Sequence, residues 1–328
     1  AQPGTQEFRD LLKAYTSNIY TDNTINQGGT KFYDKSALYH AHGEYNYDLD
    51  FGKWARAKFT VGANGRVYMP DSRGTIFDEM VLTNDTVPDV LNADSAIVDT
   101  TFNQITNWEV GAYLGMEWKL FADRLKVTAA VRLDKNQNFP FLVSPAASLV
   151  YSQVKAHTIR LSFSSAIRNP TLSDQYLNYD VGRAVLIGNL RGYENLVTVE
   201  SFLDYLDSGG DLAVLDSFNV APIVPEKVKT GEIGYRGFLG GHVYVDASYY
   251  VSYYTDFIGY KLGIESDINP ITGFPENTKA VRIAANSKNN VITQGFSVGV
   301  NYFFRNMFTL SGNYSWNKLN RIGDPDPL

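Results

Sequence analysis

Cysteine is absent from the 328 residues, which excludes a disulfide framework, a thiolate zinc site and a cysteine nucleophile. Histidine is scarce. The 4 present come with no nucleophile-elbow pattern, so the sequence predicts neither an enzyme nor a cofactor. Long apolar runs are missing as well. Hydrophobic residues make up 44% of the chain and the mean hydropathy is -0.22. No stretch approaches the roughly 18 apolar residues of a membrane-crossing helix. Positive charge is in deficit, with 29 Lys and Arg against 35 Asp and Glu, which argues against a nucleic-acid partner. Ala1-Gln2-Pro3-Gly4 lacks the basic start and apolar centre of a signal peptide. The end at Arg321-Ile322-Gly323-Asp324-Pro325-Asp326-Pro327-Leu328 reads as the opening of a loop after a strand, so the sequence is expected to be a fragment.

What the chain does have is alternation. Ala37, Tyr39, Ala41, Gly43, Tyr45, Tyr47 and Leu49 are apolar, aromatic or small, and His40, His42, Glu44, Asn46 and Asp48 fall between them. Successive strand side chains point to opposite faces, so one face here is apolar and the other wet. The same pattern predicts strands at about 55–63, 107–121, 125–134, 141–151 and 158–163. Four more are expected at about 228–238, 243–254, 291–304 and 308–316. The clearest is 107–121, where Trp108, Val110, Ala112, Leu114, Met116, Trp118 and Leu120 share one face. Aromatics at 14% suit both strand propensity and interfacial girdles.

Connection length orients these strands. Short turns follow alternate strands, while the others are joined by long loops at about 70–106, 169–226 and 257–290, with Asn138-Phe139-Pro140 a brief exception. Outer-membrane barrels have short periplasmic turns and long extracellular loops, so the long loops are expected outside. A sheet in water needs a second layer over its apolar face, and the sequence offers no set of amphipathic helices for that. One helix is expected in the 169–226 loop, where Leu196, Val199, Phe202, Leu203 and Leu206 fall near helical spacing and Gly209-Gly210 can stop it. It is expected to pack within its own loop, leaving lipid as the partner of the apolar face.

Four segments resemble TonB-dependent outer-membrane receptors in order and spacing. The run Ser162-Phe163-Ser164-Ser165-Ala166-Ile167-Arg168-Asn169-Pro170-Thr171-Leu172-Ser173-Asp174-Gln175-Tyr176-Leu177 resembles that family's strand end before an extracellular loop. Val224-Pro225-Glu226-Lys227 resembles the start of its next descending strand. Val243-Tyr244-Val245-Asp246-Ala247-Ser248-Tyr249-Tyr250 with Asp256-Phe257-Ile258 resembles the ascending strand after that, and Asn286 to Gly295 the following one. The style is most similar to receptors of Bacteroidetes-type bacteria.

The resemblance implies an all-β, antiparallel transmembrane β-barrel, of which these are about ten strands out of about 22. Residues 1–328 are then expected to be part of a single receptor barrel domain, without its plug domain, TonB box and final strands. Closure as a smaller barrel of about ten to twelve strands is the second expectation. Implied partners are outer-membrane lipid, a plug domain of the same protein, TonB through an N-terminal segment, and a surface lipoprotein. The implied function is energised uptake of a scarce nutrient (a siderophore, glycan or peptide) across the outer membrane of a Gram-negative bacterium. A non-transporting barrel scaffold in an outer-membrane complex is the alternative.

Site residues are weighed against simpler roles. Arg132, Arg160, Glu232 and Arg236 fall on the polar face and are candidates for lining a substrate path or contacting a plug; salt-bridged wall positions fit them equally. His40 and His42 share that face, but no third ligand is evident and the sequence predicts no metal site. Asp71, Asp78, Glu79, Asp85, Asp89, Asp94 and Asp99 face only Arg73 in charge. They lack a calcium-loop signature and read as a solvated acidic loop. Arg168, Asn169 and Pro170 are expected to shape a loop.

Overall fold

The computed structural model describes residues 2–17, 34–52, 54–73, 75–77, 80–83, 99–102, 104–154, 157–268, 275–304 and 307–322. Helix α1 (Gln6–Ser17) comes first. Then follow β1 (Ala37–Asp50), β2 (Ala55–Met69), a short pair β3 (Met80–Thr83) and β4 (Asp99–Phe102), β5 (Asn107–Leu120) and β6 (Leu125–Asn136). Next come β7 (Leu142–Val154), β8 (His157–Arg168), helix α2 (Leu172–Tyr176), β9 (Asn178–Asp180), β10 (Ala184–Ile187), β11 (Tyr193–Val197), helix α3 (Val199–Asp207) and β12 (Ser217–Val220). The chain continues with β13 (Glu226–Leu239), β14 (Val243–Thr255), β15 (Ile258–Ile268), β16 (Pro275–Asn286), β17 (Asn290–Phe304) and β18 (Phe308–Ile322).

Ten long strands form one antiparallel sheet in the order β1-β2-β5-β6-β7-β8-β13-β14-β17-β18. At 12–15 residues each, and roughly 3.3 Å per residue, they are about 40–50 Å long. That suffices to cross an apolar band about 25 Å tall at the usual tilt. β1 and β18 are the two edges, so the ten strands do not close on themselves among the described residues.

Cross-strand register carries the alternation from strand to strand. One continuous row runs Leu49, Ala57, Trp118, Val127, Leu149, Leu161, Ile233, Tyr249, Phe296 and Trp316. A one-residue slip in any pair would turn that strand's apolar set to the polar side. Nothing among the described residues covers this face: Trp108 is 38% exposed, Leu114 53% and Trp118 40%. Leaving so large an apolar surface in water would be costly. Hydrocarbon removes that cost, and ladder pairing satisfies the backbone groups of the eight strands between the edges β1 and β18. The sheet is the wall of an antiparallel transmembrane β-barrel.

The well-buried interior lies elsewhere. A second sheet, ordered β12-β11-β15-β16-β10-β9, is built from the long connections at one end of the barrel wall. Leu196, Val220, Val281, Ile283 and Ala285 form one buried cluster there; Phe139, Ile223, Ile258 and Ala284 form another. This cap has the packed core of a water-soluble domain.

Two expectations are corrected in the cap. The 257–290 segment is largely the hairpin β15–β16. Val281, Ile283, Ala284 and Ala285 are buried on both faces of that hairpin, so period-two alternation is lost. The predicted helix is present but begins only at Val199, where the Thr198 side chain accepts the N–H of Ser201 as N-cap. Leu196 belongs instead to β11 and is buried in the cap core. Packing of α3 is not confined to its own loop: it buries Phe202 and Tyr205 and also contacts β15 of the neighbouring hairpin. In the short Asn138-Phe139-Pro140 turn, Phe139 is buried against the cap with Ile223 and Ile258.

Candidate functional site: the barrel mouth and its polar wall

The four predicted wall residues share the polar face but do not converge. Arg132 of β6 donates from Nε to both Asp134 oxygens (2.9 and 2.8 Å) and from Nη2 to Asn64 Oδ1 (2.8 Å), with the Tyr113 ring 5.9 Å away. To reach Asn64 it crosses β5 at Gly111, where an added Cβ would overlap its guanidinium. Arg160 of β8 crosses β13 in the same way, over Gly234, and donates to Asp246 at 3.0 Å. Only glycine leaves room for these flat crossings. Glu232 and Arg236 of β13 make no ion pair or side-chain hydrogen bond among the described residues. Arg236 lies opposite Asp246 in register, but the ion pair of Asp246 is with Arg160.

On β1 and β5, Tyr113 donates to Glu44 Oε2 at 2.6 Å and lies 3.0 Å from His42 Nε2. The phenol proton is committed to Glu44, so the imidazole N–H points at the phenol oxygen. His42 therefore engages Tyr113, and no group of three potential metal ligands occurs among the described residues. In the acidic loop, Asp78, Glu79, Asp85, Asp89 and Asp94 lie outside the described residues.

At the rim, sequence reasoning missed a buried amide network. The Asn136 amide donates to Asn107 Oδ1 (2.8 Å) and Glu109 Oε1 (3.0 Å), and Asn107 donates to Gln175 Oε1 (3.0 Å). Asn138 donates to the same Gln175 oxygen (2.8 Å), while Gln175 Nε2 donates to the Pro170 carbonyl (2.7 Å). Thr171 and Asp174 form a capping box that holds α2 in place. The expectation for Arg168, Asn169 and Pro170 thus gains a mechanism. Asn169 donates to Glu109 (3.0 Å), and Arg168 donates to Glu226 (3.2 Å), which also accepts the N–H of Ile258 (3.0 Å). Together these bonds fasten the cap to the ends of β5, β6, β8 and β13.

Between the β15–β16 hairpin and the cap-side ends of β17 and β18 lies a cleft of about 430 Å³. Tyr260, Leu262 and Arg282 line it from the hairpin, with Phe257 beside them and Val291 and Leu319 from the wall. The Arg282 guanidinium lies 3.7 Å from the Tyr260 ring centroid.

A family profile described as TonB dependent receptor-like, beta-barrel, matches residues 4–327. The chain belongs to the TonB-dependent receptor β-barrel family. Members of this family are receptors of the Gram-negative outer membrane, not enzymes. No protein of curated description matches the sequence. Solved receptors share the fold at low identity. The siderophore receptor PirA from Pseudomonas aeruginosa superposes at a TM-score of 0.56 and 15% identity, over 87% of this chain and 41% of that one. A mutant ferric enterobactin receptor, PfeA, from the same organism gives 0.57 and 15%, over 86% and 35%. The Serratia marcescens hemophore receptor HasR, in complex with its hemophore HasA and heme, gives 0.54 and 10%, over 89% and 43%. The chain thus spans well under half the length of these receptors.

Proposed function

We propose that this chain, residues 1–328, is one stretch of the barrel wall, with its extracellular cap, of an outer-membrane receptor that takes up a scarce nutrient with TonB-delivered energy. The observation that carries the reading is two-sidedness. An apolar surface faces outward on ten strands, a polar wall faces inward, and a folded cap stands over the mouth. Such a cap can select cargo, and a polar wall can pass it.

In this reading Arg132 and Arg160 brace the wall, each already tied to a carboxylate. Glu232 and Arg236, on the same face and without a side-chain partner among the described residues, contact a plug domain of the same protein or the passing cargo. The segment 169–226 is an extracellular loop, and a surface lipoprotein is a further partner at the cap. No step in this uptake requires covalent chemistry or a cofactor from the chain. The cargo is a siderophore, glycan or peptide; PirA is a siderophore receptor, and HasR was solved with its hemophore and heme.

The test is accumulation of labelled ferric siderophores, glycans and peptides in cells with and without the gene, before and after an uncoupler. Gene-dependent accumulation that the uncoupler abolishes is the expected result. Normal uptake with loss of an outer-membrane complex would instead identify a scaffold.

A further inference from the structure

We propose that the cleft beneath Tyr260 and Arg282 is a binding subsite for an aromatic anion. The inference rests on the receptor reading and specifies part of its cargo.

Its first support is an uncompensated charge. Arg282 stacks on Tyr260 at 3.7 Å, yet no carboxylate pairs with it among the described residues. A half-buried cation without a counter-charge is disfavoured, and a guanidinium held flat on a ring keeps its in-plane N–H donors available to an oxyanion.

The second support is the wall around that charge. Phe257, Leu262, Val291 and Leu319 make most of the lining apolar, and the volume of about 430 Å³ lies within the usual range of small-molecule sites. Asn286 is no competitor for the ligand. Its amide already donates to the carbonyls of Val224 (2.9 Å) and Asp256 (2.6 Å), and its oxygen accepts the Val224 N–H (2.8 Å). Of the two cations in the lining, Lys261 has its ammonium over the Phe218 ring, 5.5 Å from the centroid, so charge recognition is assigned to Arg282, and shape recognition to the ring and the aliphatic wall.

The third support is position. Val291 and Leu319 lie on the polar-wall side of β17 and β18, near their cap ends, so the cleft adjoins the route from the cap into the barrel. A flat ring bearing a carboxylate or phenolate matches all three features.

The probe is 2-naphthoate, with neutral 2-naphthamide as its isosteric control, titrated into the full-length receptor in detergent and followed by naphthyl fluorescence. Naphthoate is expected to bind saturably and about tenfold tighter than naphthamide. Arg282→Gln should erase that preference, and Arg282→Lys should keep only part of it because the planar fork is lost. Tyr260→Ala should weaken both probes. Thermal melting of each variant separates loss of the site from loss of the fold. Equal binding of the two probes overturns the proposal, as does naphthoate binding unchanged by Arg282→Gln. Absence of binding in the intact receptor also overturns it, since another part of the protein then fills the cleft. Energised uptake measured in parallel is an independent readout. Uptake without the charge preference removes the subsite alone, and the charge preference without uptake removes the transport reading alone.

Discussion

Arg160 reaches Asp246 by lying across Gly234: its Nη2 stands 3.0 Å from the Asp246 Oδ1, two strands away on the polar face of the wall. A Cβ at position 234 would sit 2.6 Å from the Arg160 Nε, so Gly234→Ala should lift the guanidinium off its partner. Both side chains are about a third exposed, which limits the loss to about 0.5–1 kcal/mol. Arg160→Ala added to Gly234→Ala should cost almost nothing more, because the pair is already broken. Urea unfolding in detergent of the two single variants and the double variant measures this; additive losses would refute the coupling.

Gln175 is expected to hold the cap rather than the barrel. Gln175→Leu leaves the buried amide N–H of Asn107 without its acceptor, while the part-buried Asn138 keeps its bond to the Tyr176 hydroxyl. One such orphaned donor costs about 1–3 kcal/mol. Limited proteolysis should therefore cut the 169–226 segment faster in the variant while the barrel transition stays where it was. A fall in the barrel transition with an intact cap would contradict this.

Leu114 tests the identity of the solvent. It stands mid-strand on the outward face, so Leu114→Arg places a charge in hydrocarbon and should cost about 2–4 kcal/mol. The same change one residue away, Tyr113→Arg, points into the polar wall and should be far better tolerated. Folding yields into lipid vesicles, compared for the two variants, provide the measurement.

Three successive non-glycine residues, Phe121, Ala122 and Asp123, have φ of 56°, 54° and 66° in the turn between β5 and β6. Left-handed backbone costs about 1–2 kcal/mol for a residue with a Cβ, and glycine's extra unfolded-state entropy offsets part of any relief. Ala122→Gly should therefore stabilise the protein by up to about 1 kcal/mol. An unchanged or lower unfolding midpoint in urea would count against that strain.

Burial raises the Tyr193 phenol above its ordinary value, and the nearby Glu265 carboxylate adds to the effect. The folded cap thus favours the protonated phenol. That contribution is full below the unfolded pKa of about 10 and is lost as pH rises through the higher folded value. Hydrogen exchange in β11 and β12 should accelerate above about pH 10, and Tyr193→Phe should push the onset to higher pH. Identical alkaline profiles for the two proteins would refute the assignment.

The wall was legible in the sequence because each strand faces two different solvents. Trp108 to Leu120 could be read from periodicity alone, and so could the polar-face positions of Arg132 and Arg160. Their partners could not, since Asn64 and Asp246 are chosen by register between distant strands. The cap was mostly hidden for the opposite reason. Val281, Ile283, Ala284 and Ala285 meet protein on both sides, so no alternation survives to mark a strand. Asn107, at the start of a predicted strand, and Asn136 and Gln175, outside any, give no sign of a shared network until the fold brings positions 68 apart into contact. The Arg282–Tyr260 stack likewise exists only because the β15–β16 register places them on one face.

Burying its tightest apolar clusters in the cap while the wall turns Leu114 and Trp118 outward gives this molecule two kinds of stability in one polypeptide. Water drives the cap together, whereas backbone pairing in a medium without competing donors holds the wall. Urea, which solvates apolar and peptide groups, should dismantle the head first and leave an intact stave-work behind. Selection can then remodel the cap without re-solving how the wall inserts.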